Sequence, residues 1–259
     1  MVSCSLRSSL ERCSIRDLGT VFQLCQDGLV ATKEQRNERR ADALSKERIV
    51  QAAIAILDTE GENALTFRAL AAHLATGSGA IYWHIANKTE LLAAATEQVI
   101  ARAVTDVPAG VPAREAIRTI AGGVFDAIEA HPWVGTELSR QPWQTAMLHI
   151  FEGIGGQLDA LGVPEAAQFN SGSALVNYII GVAGQNAANA RLLPRDTDRT
   201  EFLQAVAAQW MRSDPAEYPH VHRAAAHLPG HDDREQFLAG IDLILAGIDA
   251  GLTEPGDRA

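Results

Sequence analysis

Apolar positions recur every three to four residues along most of the chain, the period of a helix with one buried face. In "KERIVQAAIAILDTEG", Ile49, Ala53, Ile54 and Leu57 fall on one side. Ser45 stands where an N-cap belongs, and Gly61 occupies the left-handed position beyond the C-terminus. The pattern restarts in "LTFRALAAHLA", with Thr66 as N-cap and Phe67, Leu70, Ala71 and Leu74 facing inward. "TGSG" breaks it and "AIYWHI" resumes it for under two turns. Asn87 then caps a long helix, "KTELLAAATEQVIARAV", with Glu90 placed to complete a capping box. Two short helices around a tight turn, braced by a longer helix before and after, make a helix-turn-helix unit.

"DVPAGVP" at residues 106–112 is the clearest linker. Beyond it the periodicity predicts helices at roughly 112–130, 142–160, 164–191, 198–213 and 233–250, separated by Pro and Gly. Strand-like alternation and fixed-period repeats are absent from the pattern. The expected fold is all-α: a flexible extension over 1–40, a helix-turn-helix domain over 41–105 and a larger helical domain over 112–253. Within the extension, Leu18, Val21 and Phe22 fit a short amphipathic turn, and "ATKEQRNERRADA" is a densely charged arm. Clean patterning starts soon after Val30, where a valine start codon would place the first residue of a shorter chain.

Composition narrows this picture. At 259 residues and 47% hydrophobic content the chain buries a full core. It lacks the roughly 18-residue apolar run of a membrane helix and the apolar core of a secretory signal, so a cytoplasmic location is expected. Cys4, Cys13 and Cys25 have no metal-ligand spacing and read as free thiols. The net charge of −10 argues on its face against nucleic acid, but it is uneven: residues 33–100 carry −1 and residues 101–259 carry −9. All three lysines (Lys33, Lys46, Lys88) fall in the near-neutral block.

The run "YWH" needs its own account, because three large side chains in succession point about 100° apart on a helix. Ile81 and Ile85 share the inner face, which leaves Ser78, Gly79, Tyr82, Trp83 and His84 over the open ones. Gly79 and Ala80 let the helix N-terminus approach another backbone closely, and that N-terminus suits a phosphate. Tyr82 and His84 offer hydrogen bonds to phosphate oxygens, and Lys88 reaches the adjacent backbone. Trp83 is expected to pack against the flanking long helices.

"LTFRALAAHLATGSGAIYWHIANKTELL" resembles the helix-turn-helix signature of TetR-type transcriptional repressors, and residues 45–100 fit that domain throughout. The resemblance implies a helical homodimer with an N-terminal DNA-binding unit and a C-terminal effector-binding and dimerisation domain. It places Arg68 on the first motif helix at a DNA-contacting position. It puts Ser78, Gly79, Ala80, Tyr82 and His84 on the recognition helix, and Lys88 at the phosphate-contacting start of the next. Ala75 stands where the family usually has glycine, followed by Thr76, and Gly77 is expected to take over the turn. "DREQFLAGIDLILAGIDAG" is similar to the closing helix of tetracycline-repressor-like members, and "EYPHV" to the segment before it. The implied dimer pairs the last long helices of two copies. Independently of the family, Phe237, Ile241, Ile244, Leu245 and Ile248 form an apolar stripe suited to that role, and Gly240 and Gly247 allow close helix approach.

These features predict a ligand-responsive repressor released from a palindromic, double-stranded operator by a small, largely apolar molecule, with no cofactor and no membrane partner. Candidate pocket walls are Phe125, Trp133, Trp143 and Phe151. "SGSALVNYIIGVAGQNAANARLL" adds Asn177, Tyr178, Gln185, Asn186 and Asn189, polar groups on a small, apolar helix that a ligand could satisfy. The determinants that bind tetracycline in that subgroup have no counterparts here. No phosphate loop, nucleophile elbow or His-Glu-x-x-His run suggests an enzyme. The alternative is a metal-binding or enzymatic helical protein using "HVHRAAAHLPGHDD", His220 to Asp233, which Pro229 and Gly230 interrupt and which otherwise reads as a polar loop.

Overall fold

The computed structural model of the protein describes residues 44–192 and 198–253, so the expected extension, its cysteines and a start at Val30 lie outside the described residues. Among these residues every regular element is helical. In order they are α1 (Lys46–Glu60), α2 (Phe67–His73), α3 (Ser78–Tyr82), α4 (Lys88–Thr105), α5 (Ala113–Ala130), α6 (Pro132–Arg140), α7 (Thr145–Ala160), α8 (Glu165–Leu192), α9 (Arg199–Trp210), α10 (Pro219–Ala225) and α11 (Asp233–Thr253). A 3-10 turn, Leu228–Gly230, joins the last two.

Local signals set the first four helices. Gly61 ends α1 at φ +82°, its N–H shared between Ile56 O and Leu57 O at 3.2 Å each. Thr66 caps α2, its hydroxyl accepting the Ala69 N–H at 3.1 Å. Asn87 Oδ1 accepts the Glu90 N–H at 2.9 Å while the Glu90 carboxylate accepts the Ala86 N–H at 2.8 Å. That reciprocal pair is a capping box reaching one residue further back than the usual form. Gly77 does not take over the motif turn: its φ is −86°, and the left-handed residue is Ala75 at φ +50°. Ala75 N–H reaches Ala72 O at 3.3 Å and Thr76 N–H reaches Ala71 O at 2.9 Å. This is the Schellman pattern of helix termination, which fixes the left-handed conformation at the residue after the C-cap whatever its side chain.

α4 packs on α1 and also on α5, α6 and α7, so it belongs to both the helix-turn-helix unit and the helical body. The body core forms where α5, α7 and α8 pack on one another. Ile117, Val124 and Ile128 of α5, Ile150 and Ile154 of α7, and Leu175 and Ile179 of α8 are all fully buried there. Each Å² of apolar area this cluster removes from water contributes about 25 cal/mol to the stability of the body.

Three expectations change. Pro132 and Pro219 do not mark loops; each sits in the first turn of a helix, α6 and α10, where its missing N–H costs nothing. Three residues of the stripe on α11, Phe237, Ile241 and Leu245, are wholly buried in their own chain because α11 covers α5 and α8, while Ile244 and Ile248 stay half-buried. Within the chain a close approach occurs at Gly240, where a Cβ would overlap the Tyr178 phenol, while among the described residues a Cβ at Gly247 would meet no neighbouring helix.

Candidate nucleic-acid interface and ligand cavity

In α3 the inner positions are filled as the spacing predicts, Ile81 and the following Ile85 being buried. The helix ends at Tyr82, and the next two residues lie on the outer surface. Trp83 is 89% exposed, so the expected packing against the long helices does not occur. As C-cap it follows the last helical residue, and Ile81 and Ile85 already occupy the inner face. His84 and Arg68 are exposed as well, and Gly79 opens onto free space. Ser78 and Ala80 are half-buried. Tyr82, half exposed, lies flat on Phe67 of α2, ring centroids 4.4 Å apart and planes 2° apart. That stack holds the phenol at a fixed height above the α2–α3 junction, its edge open to a partner. Lys88 is half-buried, and its ammonium donates to Glu62 O at 2.6 Å. It ties the turn after α1 to the start of α4.

A second set of polar contacts links that unit to α6. Asp58 Oδ1 accepts Trp133 Nε1–H at 2.8 Å and stands 2.8 Å from His131 Nδ1. Glu62 takes two hydrogen bonds from the Arg140 guanidinium, at 3.0 and 3.2 Å. Arg140 also reaches the buried Glu137 at 2.9 Å. The Arg140 hydrogen bond holds the Glu62 carboxyl below the ordinary glutamate range, whereas burial pushes Glu137 above it despite the same guanidinium.

A cavity of about 910 Å³ lies between α8, α9 and α11. Of the candidate ligand residues, Tyr178 and Gln185 line it, together with Asn186 and Asn189. The others have different roles. Phe125 is core, stacked on Phe237 at 4.7 Å. Trp133 is buried in the Asp58 contact, and Trp143 is 92% exposed. Phe151 is half-buried and Asn177 exposed, and neither lines the cavity. The far wall comes from Phe202, Leu203 and Val206 of α9 and Leu243 of α11, none of them candidates from sequence. No local signal marks them, because the residues of α8, α9 and α11 that line the cavity are distant from one another in sequence. Tyr178 Oη–H donates to Phe237 O at 3.2 Å, and burial raises its phenol above the usual value.

The histidine-rich segment is α10 plus the 3-10 turn rather than a loop. His222 Nε2 lies 2.9 Å from Ser213 O, and His231 Nε2 lies 3.0 Å from Asp233 Oδ1. Among the described residues no three His, Cys, Asp or Glu side chains gather as a metal ion would require. No helix among them is long and apolar enough to cross a membrane.

Comparison with known proteins agrees with this layout. Residues 49–95 match the model of bacterial regulatory proteins of the tetR family, and residues 112–252 match the tetracyclin repressor-like C-terminal domain. The transcriptional regulator SCO7222, a TetR from Streptomyces coelicolor, is 54% identical, with a TM-score of 0.74 over 80% of this chain and 99% of that one. An HTH-type transcriptional regulator of Saccharopolyspora erythraea is 27% identical over 86% of this chain and 92% of its own. ActR from Streptomyces coelicolor, solved in complex with actinorhodin, shares the fold at 23% identity and a TM-score of 0.69, covering 82% of this chain and 99% of its own. The helix-turn-helix with its outward aromatic edge, the helical body and these two family matches together establish that the chain belongs to the tetR family of DNA-binding transcriptional regulators.

Proposed function

We propose that this protein is a homodimeric, cytoplasmic repressor that binds a two-fold symmetric operator and leaves it when a small, mainly apolar molecule occupies the body. The observation that carries the reading is the division of labour in α3. Ile81 and, just beyond its end, Ile85 anchor it, while Tyr82 and the following Trp83 and His84 project outward. Arg68, Ser78, Gly79 and Ala80 complete the surface proposed to face DNA. Such a surface supplies hydrogen bonds and stacking to the sugar-phosphate backbone, which set register, while base edges in the major groove set sequence. The charge distribution supports this orientation: the near-neutral reader approaches DNA and the body, at −9, is held away from it.

The effector half of the reading rests on the cavity. Its volume of about 910 Å³ lies within the range of small-molecule sites. α8 lines that cavity and also packs on α6, which holds Asp58 and Glu62 of the reader. A ligand that shifts α8 therefore has a continuous set of contacts to the recognition unit. The solved complex of ActR with actinorhodin, a protein of the same fold, supports a small-molecule effector. By linkage, a compound that lowers operator affinity must itself bind operator-free protein more tightly by the same factor. A screen of hydrophobic compounds, read by tryptophan quenching and operator release together, tests this. The reading predicts compounds that satisfy the reciprocity, and only compounds that bind free and operator-bound protein equally would contradict it.

A further inference from the structure

Phe67 opens α2 directly after its Thr66 cap, and Tyr82 closes α3. The apolar spacing of α2 points Phe67 inward, yet the buried residues of that helix are Leu70 and Ala71, and Phe67 is only half-buried. Its ring lies parallel to the Tyr82 ring, 4.4 Å away between centroids, in the offset-stacked arrangement that aromatic pairs favour. The contact joins the start of the first motif helix to the end of the recognition helix. Tyr82 is 55% exposed, and among the described residues its hydroxyl has no hydrogen-bond partner.

An exposed tyrosine without such a neighbour samples several rotamers, and freezing one of them against DNA costs affinity. Stacking on Phe67 removes that cost beforehand and holds the hydroxyl at one place relative to α2. A phosphate contact demands this, because a hydrogen bond weakens steeply away from its preferred direction.

We propose that Phe67 is a positioning residue for operator binding, which acts without touching DNA by fixing the Tyr82 phenol that donates to a backbone phosphate. This rests on the reading of Tyr82 as a DNA contact and adds the residue that aims it.

A double-mutant cycle on operator binding by the full chain tests the role. Tyr82→Phe keeps the stack and deletes the hydroxyl. It should weaken binding about tenfold or more, since a dimer loses one hydrogen bond at each half-site. Phe67→Leu keeps an apolar, helix-favouring side chain but deletes the stack, and should weaken binding about three- to tenfold. In the Tyr82→Phe background the same change should cost less than about twofold, because no hydroxyl is left to misplace. Phe67→Tyr retains a ring and should bind operator as the wild type does. A fluorine signal gives a check independent of affinity. In protein labelled with 3-fluorotyrosine, the resonance that disappears in Tyr82→Phe should move both with Phe67→Leu and on addition of operator. No loss from Phe67→Leu, or equal losses with and without the Tyr82 hydroxyl, would overturn the proposal and leave the DNA reading of Tyr82 standing. Undiminished operator binding by Tyr82→Phe, with a fluorine signal blind to operator, would remove that reading and the proposal with it.

Discussion

Ala75 is held at φ +50°, where an L-residue with a Cβ pays about 1–2 kcal/mol. Ala75→Gly removes that clash at the cost of a more flexible unfolded chain, so a net gain of about 0.5–1 kcal/mol is expected. Urea unfolding should show a raised midpoint with an unchanged slope, and a lowered midpoint would mean that the turn does not carry this strain. Trp83 yields a second prediction at this scale. With 89% of it exposed, Trp83→Ala should change stability by less than about 0.5 kcal/mol yet weaken operator binding measurably. Operator-induced quenching of tryptophan fluorescence should vanish in the same variant; quenching that persists would place Trp83 away from DNA. Both residues show where sequence reading stops. The i, i+4 spacing identifies Ile81 and Ile85 as inner, but where α3 ends decides that Trp83 is free. Glycine's permissiveness points to Gly77, but helix termination places the strain two residues earlier.

The element that matters most after α3 is α6, which sequence reading overlooks because Pro132 looks like an interruption. Its contacts with the reader are polar, and removing their shared acceptor should be costly. Asp58→Ala leaves the buried Trp133 Nε1–H without a partner and should cost about 1–3 kcal/mol, with Trp133→Phe in that background restoring part of it. The pH dependence of the second contact has a definite sign. Glu62 titrates below the ordinary glutamate value of 4.5, so its contribution is complete above that value and disappears as pH falls through the lower folded one. Glu137 is raised by burial, so its contribution runs the other way and is lost as pH rises through the elevated value. The stability difference between the wild type and Glu62→Gln should therefore stay constant at neutral pH and shrink as pH falls below 4.5. A difference that grows on acidification would exclude the Arg140 pairing as its source. Lys88 belongs to the same junction. Lys88→Ala should lower the salt slope of operator binding by about one unit if the ammonium also meets a phosphate. Reduced stability with an unchanged slope would confine it to holding Glu62 O.

For the molecule as a whole, the helical class, the helix-turn-helix and the linker at 106–112 are legible because each follows from local periodicity or a capping residue. The interior of the body is less so: Phe125 and Trp133 look like pocket walls by composition, yet core packing and the Asp58 hydrogen bond claim them first. The expected dimer stripe is partly taken up for a similar reason. With Phe237, Ile241 and Leu245 committed to the chain's own core, the proposed dimer uses the outer face of α8, where Phe169 is 77% exposed. Phe169→Asp should shift sedimentation toward monomer and abolish operator binding with it, since each half-site contact alone is weak.

Selection of bound duplexes from a random pool, using the full chain at physiological salt, tests the central claim most directly. Two copies related by a two-fold axis must present their recognition helices to half-sites one helical turn apart, roughly 34–36 Å. The enriched sequences should therefore share an inverted repeat with that spacing or a multiple of it, lost together with binding in the Phe169→Asp protein. Enrichment of sequences without two-fold symmetry, or none above the starting pool, would contradict the account.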